Sequence, residues 1–575
     1  MYKGIFPIPA IILAAALGIS AQVATPTPTP LPETVPVPTV APGYENRDLS
    51  LPELGRVGVD LTNQQTMTLQ DAIEAALGNN LDIEVTRKTE EMSEFDLKAA
   101  KGVYQPRFLL QTYNDNTATP NLSVFSTNLR QTAVTQYGNA DIIGYIPRWG
   151  TTYGWHLNTQ RVTSDNPITI LSPQVTASSG FSITQPLFRG RKFDVNRRNI
   201  EIAKRNIQIS DTQFRQRAIE TVANVQRAYW DLTYALRNLQ VQRDAVRDAK
   251  SQLEHNRRLV NEGSLAPIDI VAAETQVANF EQSVYDALNA VNLAENNLKG
   301  LISPGHENPI WGRSITPVEP VEQTTPDPTL GDAVSTAFAN RPELELNEVQ
   351  RDINRVDQRL YKDQQKPQVD LTASISSVGV GGSLNPNFTN PFASSVCADP
   401  SSPACLALQQ RQQNFLNQIG GSGSAFTDIF KFHDPAFRLG VNINLPLFGK
   451  DRTASAFYGR SLVEAERLDT QREQLQQNIQ IEVRNALQAV RTNEARLRAA
   501  SIARENTARQ YESEQRKLDN GQSDVYRVLE RQTALAAAQS AELRARTDLN
   551  KSIADYERAT GSTLKANNVE ARLKK

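Results

Sequence analysis

The chain has 575 residues, a formal net charge of −2, and 39% hydrophobic and 22% charged residues. Its mean hydropathy of −0.45 makes it too polar for a bundle of membrane-spanning helices. The near-zero net charge argues against a general nucleic-acid binder, because such proteins carry a large excess of basic residues. The length allows about three or four ordinary domains.

The N-terminus has the layout of a secretory signal peptide. Lys3 precedes an apolar stretch over residues 11–19, and Ser20-Ala21 follows it. We expect residues 1–21 to be the signal peptide, with an uncleaved anchor as the alternative, and the mature protein to lie outside the cytoplasm. Residues 22–66 contain a tract of Pro, Thr and Val with no core to bury, which predicts a linker.

Two large segments of the chain repeat each other. Residues 68–73 (TLQDAI) recur as residues 329–334 (TLGDAV), and residues 186–188 (PLF) recur as residues 446–448. This spacing is far longer than the period of a solenoid, so it indicates a duplicated domain-sized unit. The predicted boundaries are 67–302 for the first repeat, 303–328 for a Pro-rich linker, 329–562 for the second repeat and 563–575 for a C-terminal tail.

Each repeat is predicted to contain long coiled-coil helices. No proline occurs between Pro186 and Pro267, or after Pro446, and apolar residues recur there every seven positions. Arg504 and Glu542 are polar interruptions of the second ladder. In the first repeat we expect helices over 68–104, 192–260 and 268–301, about 55, 100 and 50 Å long. The two shorter ones would stack end to end beside the longest.

Strands are predicted where the helices stop. Residues 437–447 and 369–375 alternate between apolar and polar side chains, which is typical of a membrane β-barrel strand or of a half-buried soluble sheet. About four such strands per chain cannot close a membrane barrel, whereas three chains would supply about twelve. Residues 114–174 and 381–434 are interpreted as outer loops, and a further candidate hairpin lies at 142–158.

The two cysteines, Cys397 and Cys405, lie close together in a Gly/Ser/Pro-rich stretch. In an oxidising compartment they predict a small loop-closing disulfide, with two unpaired thiols as the alternative. Two cysteines without a nearby pair of histidines do not indicate a metal site.

At this point the sequence resembles the TolC family of outer-membrane channel proteins. The resemblance rests on the paired Thr-Leu-x-Asp-Ala openings, on prolines at the strand–helix junctions, and on glycines at the hairpin tips. The junction prolines are Pro106, Pro186, Pro367 and Pro446, and the tip glycines are Gly263 and Gly521. It covers about residues 67–302 and 329–562.

The resemblance implies a mixed α and β fold, in which a coiled-coil α-helical barrel joins a transmembrane β-barrel completed by trimerisation. It implies a homotrimer in the outer membrane of a diderm bacterium, surrounded by lipid, with its helical tunnel in the periplasm. It also implies a periplasmic adaptor (membrane fusion) protein and an inner-membrane RND or ABC-type pump as partners. The channel would then be the passive exit duct of a tripartite efflux pump or type I secretion system.

The resemblance further implies roles for residues at the hairpin tips. Asp269 and Glu530 match the family's acidic entrance sites, where ordinary solvated charges are the alternative. Arg527 stands where the best-known members carry an acid, and it could instead pair with Asp269 or Asp524. Gly263, Ser264, Gly521 and Gln522 match the adaptor-docking tips.

No enzyme function is indicated, because the four histidines form no catalytic or metal-spaced cluster and Gly449-Lys450 lacks the rest of a P-loop. We therefore predict no cofactor, no metal and no nucleic-acid partner. The alternative is a periplasmic coiled-coil adaptor or scaffold protein, which would share the signal peptide and the hairpins but would not need alternating strands.

Overall fold

The computed structural model describes residues 55–120, 129–318, 325–390, 393–432, 434–447 and 451–569. The predicted signal peptide 1–21, most of the predicted linker 22–66, and residues 570–575 of the predicted tail lie outside the described residues. The chain divides into the units Met1–Gly55 and Arg56–Lys575, and every element given below belongs to the second unit.

Eight strands and twelve α-helices are described. The strands are β1 (Asp60–Met67), β2 (Arg107–Pro120), β3 (Arg130–Ile146), β4 (Thr151–Ser164), β5 (Leu171–Pro186), β6 (Arg313–Pro317), β7 (Gln368–Leu384) and β8 (Pro435–Asn444). The helices are α1 (Leu69–Asn79), α2 (Leu81–Lys101), α3 (Val195–Asn261), α4 (Ile268–Ile302), α5 (Leu330–Asn340), α6 (Pro342–Gln364), α7 (Ala393–Val396), α8 (Pro403–Ile419), α9 (Ser424–Lys431), α10 (Arg452–Asp519), α11 (Val525–Thr560) and α12 (Thr563–Ala566).

The helices confirm the predicted duplication. α3 and α10 have 67 and 68 residues, and α4 and α11 have 35 and 36. The repeated Thr-Leu-x-Asp motif begins the first helix of each repeat, since Thr68 accepts a hydrogen bond from the backbone N–H of Asp71 and Thr329 accepts one from Asp332. A threonine in this position satisfies a backbone donor that the helix leaves unpaired.

The predicted single helix over 68–104 is wrong, because it is broken at Asn80 into α1 and α2. The Asn80 side chain caps α2 and also donates to the carbonyl oxygen of Leu301 at 2.9 Å. In the second repeat, Arg341 at the α5–α6 break donates to the carbonyl oxygens of Arg558 and Ala559. In each repeat the break therefore lies against the C-terminal end of the helix that follows the long one, α4 in the first repeat and α11 in the second. The helix after the break, α2 or α6, thus begins where α4 or α11 ends, which is the end-to-end stacking predicted for the shorter helices.

The core follows the heptad ladders. α3 packs against α4 and α2 within its repeat and against α11 and α6 of the other repeat. In the first repeat, Tyr229 and Trp230 are among the largest fully buried side chains. In the second, Val483 and Val490 of α10 pack with Ile553 of α11. The predicted coiled-coil faces are thus the buried faces.

One six-stranded antiparallel sheet, in the order β2-β3-β4-β5-β7-β8, stands beyond the long helices. The prediction of about four strands is therefore too low. The described part of 114–174, interpreted as an outer loop, instead continues β2 and forms the hairpin β3–β4, which pairs along its length between β2 and β5. The candidate hairpin at 142–158 is the end of β3–β4 next to its turn. The outer half of the β3–β4 hairpin has polar side chains on both faces, so its sequence does not show the apolar–polar alternation that predicts a strand.

The predicted linkers are partly structured. β1 and β6, from the two segments predicted as linkers, pair as a parallel two-stranded sheet. In the predicted tail, α12 contacts α3, and Asn567 accepts a hydrogen bond from Gln226 at 3.2 Å. Leu564 and Val569 pack against the core of the first repeat. These segments add apolar contacts that compositional reasoning overlooked.

A buried ion cluster joins β6 to the end of α4. The Glu295 carboxylate lies 2.7 Å from the Arg56 guanidinium and accepts the backbone N–H of Ile315 at 2.6 Å. Lys299, 3.6 Å from Glu295, donates to the carbonyl oxygen of Trp311. The side chains of Glu295 and Lys299 are fully buried, and burial lowers the pKa of Lys299 while Glu295 opposes this.

Candidate functional site

One face of the sheet is apolar. Cross-strand pairing puts one side chain from each strand into a single row: Phe108, Ile142, Trp155, Phe181, Ile375 and Phe437. Rows nearer the long helices continue this face with Ile183, Ala373 and Leu439, with Leu371 and Val441, and with Val369 and Ile443. Phe181 is 55% exposed and Phe437 79% exposed. Soluble monomers rarely expose a contiguous apolar surface of this kind, so it marks a contact with lipid or a partner.

The opposite face of the sheet is mostly polar, with Leu109 and Val378 among its exceptions. Its rows include Gln111, Asn139, Asn158 and Ser178, then Asp141, His156 and Ser376, and then Thr152, Thr184 and Thr372. An apolar face backed by a polar face is the pattern of a membrane barrel, in which lipid-facing and lumen-facing residues alternate along each strand.

The sheet ends in two unpaired edges. Within the described part of the chain, β2 and β8 each pair with a single strand, and both are exposed along nearly their whole length. β2 runs away from the long helices and β8 runs towards them, so a β8 edge and the β2 edge of another copy have the directions needed for antiparallel pairing. Long exposed edges of this kind template association with further strands.

The four junction prolines lie where strands meet helices, as predicted. Pro106 and Pro367 precede β2 and β7, Pro186 ends β5, and Pro446 follows β8. The carbonyl oxygen of Pro367 accepts the backbone N–H of Arg189 at 3.4 Å, which ties the junctions of the two repeats together.

Arg197, which the sequence analysis did not identify, stabilises the junction between β5 and α3. Arg197, in the first turn of α3, donates to the carbonyl oxygens of Gly190 at 2.7 Å and Lys192 at 2.9 Å. It also lies 2.8 Å from the carboxylate of Asp194, the N-cap of α3, and reaches the carbonyl of Arg148 in the β3–β4 turn. The turn that contains Arg148 belongs to the candidate hairpin at 142–158, but the sequence did not show where that hairpin lies relative to α3, so no sequence pattern indicated this contact.

The two hairpin tips have the same backbone geometry. Gly263 and Gly521 have φ of 74° and 68°, a left-handed conformation that glycine adopts without strain. The following residues, Ser264 and Gln522, donate back to the carbonyl oxygens of Leu259 and Lys517, both at 2.8 Å. This hydrogen-bond pattern ends a helix and reverses the chain, which explains why both repeats have glycine here.

The charged residues predicted at the entrance all lie close to these tips. Asp269, in the first turn of α4, accepts the backbone N–H of Ala266 at 3.2 Å. Asp524 caps α11 and pairs with Arg527 at 3.4 Å, with both side chains exposed. Glu530 is exposed one turn further along α11. Arg527 thus contacts Asp524, which was one of its two predicted partners, and an exposed pair of this kind contributes little stability.

The two hairpins pack together at their tips. Leu265 of the first hairpin joins a cluster formed by Leu518, Val525 and Val528 of the second. His255 on α3 lies 3.3 Å from Asp519 at the end of α10. The charged residues of both tips are therefore held at the same end of the molecule.

The two polar interruptions of the heptad ladder pair with each other. Arg504 on α10 lies 2.6 Å from Glu542 on α11, whose carboxylate also contacts Arg546 at 3.1 Å and Ser501 at 2.8 Å. Burial raises the pKa of Glu542, but the Ser501 hydrogen bond and the two arginines outweigh it, so the pKa lies below its usual value. The pair could have been predicted from the sequence. Arg504 and Glu542 have opposite charges and lie at similar distances along the chain before and after the Gly521 turn, so the hairpin brings them to the same level.

The predicted disulfide is present, since Cys397 and Cys405 are bonded with an S–S distance of 2.15 Å. It joins the segment around α7 to the start of α8, within the connection between β7 and β8. The described part of 381–434, interpreted as a loop, contains the three helices α7, α8 and α9. Among the described residues, no helix is both long enough and apolar enough to cross a membrane.

Comparison with protein families finds one matching segment of the chain. Residues 145–303, from β3 to the end of α4, match the outer membrane efflux protein family. Over these residues the chain is similar to outer membrane efflux proteins. No curated protein sequence matches it.

Solved structures of outer-membrane channels share this fold over most of the chain. The Campylobacter jejuni CmeC outer membrane channel has 14% identity and a TM-score of 0.58, over 88% of this chain and 90% of CmeC. The open state of the Neisseria gonorrhoeae MtrE outer membrane channel has 15% identity and a TM-score of 0.56, over 86% and 89%. The Vibrio cholerae outer membrane protein VceC has 12% identity and a TM-score of 0.55, over 86% and 96%.

Proposed function

We propose that three copies of this chain form an outer-membrane channel, with the sheet in the membrane and the helices as a periplasmic tunnel. The observation that carries the proposal is a six-stranded sheet with one exposed apolar face and two unpaired edges. In lipid, a sheet is stable only if every edge is paired, and six strands are too few to close a membrane barrel. Association through β2 and β8 removes both edges.

Three copies would contribute eighteen strands, because each chain supplies six. An even number of strands per chain keeps every pair antiparallel when β8 of one copy meets β2 of the next. The number three comes from the family resemblance. The β3–β4 hairpin would therefore make the barrel wider than the twelve strands predicted from the sequence.

The channel would act as the passive exit duct of a tripartite efflux pump or type I secretion system. The Gly263 and Gly521 hairpin tips, with Ser264 and Gln522, would contact a periplasmic adaptor protein, which links the duct to an inner-membrane RND or ABC-type pump. The matching backbone geometry of the two tips supports this assignment. In a trimer, the six tips would present similar surfaces to the adaptor. Energy for transport would come from the pump.

Gating is proposed at the tip end, where Asp269 and Glu530 of three copies would form acidic rings. We expect Asp269→Ala combined with Glu530→Ala to reduce the cation preference of single channels, because acidic rings attract cations into a pore. Reversal potentials in a salt gradient across a planar bilayer measure this preference. The matched control is Asp269→Glu with Glu530→Asp, which keeps the charges and should keep the preference. An unchanged reversal potential in the alanine variant would remove these residues from the entrance.

Cell fractionation separates this function from the alternative of a periplasmic scaffold. A channel should remain with outer membranes until detergent extracts it as a trimer. Release of the protein with the soluble periplasmic fraction would favour the scaffold and contradict the proposal.

A further inference from the structure

The helix α9 lies on the apolar face of the sheet, at the end remote from the long helices. Its inner side places Ala425 and Ile429 in a cluster with Val175 and Ala177 of β5. The helix can approach β7 this closely because Gly379 has no side chain. A Cβ atom there would lie 2.1 Å from the carbonyl oxygen of Ala425 and would clash with it. The helix backbone is therefore seated directly on the strand backbone.

The flank of α9 next to its buried side is apolar as well. Phe426 and Phe430 are separated by one helical turn, and Phe432 follows at the end of the helix. All three are exposed, Phe430 by 70%. The apolar arc of α9 is therefore wider than the part that the sheet covers, and its phenylalanines are left exposed beside the contact.

The position of α9 matches the outer rim of the proposed membrane band. Along β7, this face is apolar from Val369 to Ile375 and continues past the buried Ser377 to the Gly379 contact, a total of about 33 Å at about 3.3 Å per residue. With the usual strand tilt of about 40°, this corresponds to a height of about 25 Å, the height of the apolar band of membrane barrels. At this height β5 and β7 present only small residues, Ala177 and Gly379, so the phenylalanines of α9 are the apolar surface there.

We propose that α9 is a lipid-facing collar, whose phenylalanines insert among the acyl chains at the outer rim of the bilayer. The proposal rests on the proposed function, because it continues the lipid-facing sheet surface onto a helix. Phe430 and Phe426 would enter the lipid, and the exposed Lys431 would extend its ammonium group to the headgroups.

Three variants, each with one added cysteine, test the collar in the full-length protein. Each is labelled with bimane at the added cysteine and reconstituted into phosphatidylcholine vesicles. The native cysteines are bonded to each other and do not compete for the label. Phe430→Cys reports on α9, Phe181→Cys on the sheet face, and Gln413→Cys on the exposed polar side of α8. Quenching by brominated phosphatidylcholine measures lipid contact.

We expect quenching at Phe430→Cys to be within about twofold of that at Phe181→Cys and well above that at Gln413→Cys. Quenching at Phe181→Cys without quenching at Phe430→Cys would overturn the collar and leave the channel intact, whether water or a second copy of the chain covers the helix. Absence of quenching at both positions would instead contradict the proposed function.

Discussion

Phe181→Arg is expected to prevent assembly of the protein in the outer membrane, whereas Ser182→Arg on the next residue is expected to be tolerated. Phe181 stands in the apolar row that crosses all six strands, and Ser182 points to the polar face. An arginine on the lipid face near the middle of a bilayer costs about 2–4 kcal/mol, and a trimer would bear this cost in each copy. On the lumen side an arginine remains hydrated.

The measurement is the amount of detergent-extracted trimer in isolated outer membranes, compared among the two variants and the parent protein. The two substitutions add the same side chain at neighbouring positions, so expression and general folding effects are matched. Equal trimer yields from Phe181→Arg and Ser182→Arg would contradict the assignment of the apolar face to lipid.

Glu295→Gln should strongly destabilise the region where α4 meets β6. The substitution leaves Arg56 and Lys299 without their carboxylate in a site where Lys299 is fully buried. Breaking a buried ion pair by removing one partner costs about 3–5 kcal/mol, because an uncompensated charge stays buried. The β1–β6 sheet should separate first, since Glu295 also accepts the backbone N–H of Ile315.

Guanidinium denaturation of the detergent-solubilised protein, followed by tryptophan fluorescence, measures this loss. Trp311 reports locally, because its carbonyl oxygen accepts the Lys299 ammonium group. Glu307→Gln is the matched control, since Glu307 has an 89% exposed side chain in the same connection. A midpoint for Glu295→Gln that equals the control would show that the cluster does not hold β6 in place.

The helical half of the fold could be predicted from the sequence because its signals are long and local. Proline-free segments and seven-residue apolar spacing identified α3 and α4 to within a few residues and indicated α10 and α11 in the second repeat. The break at Asn80 was missed because its cause is a tertiary contact. Asn80 reaches the end of α4, more than two hundred residues along the chain.

The sheet was harder to predict because only part of it carries a clean period of two. β8 alternates strictly, but the outer halves of β3 and β4 are polar on both faces, and β5 and β7 have small residues where α9 covers them. The helix α9 could not be predicted from the sequence, because eight residues are too few to show a helical period within a loop-like segment. The charged residues assigned to the entrance lie near the hairpin tips, but their role at an entrance and their grouping across three copies remain predictions.

Recording from planar bilayers tests the central claim, that this chain forms a membrane channel as an assembly of three copies. Protein extracted from outer membranes should elute as a trimer, and addition of that fraction should produce discrete, cation-preferring conductance steps. A monomeric fraction that leaves the bilayer current unchanged would contradict a channel built from this sheet.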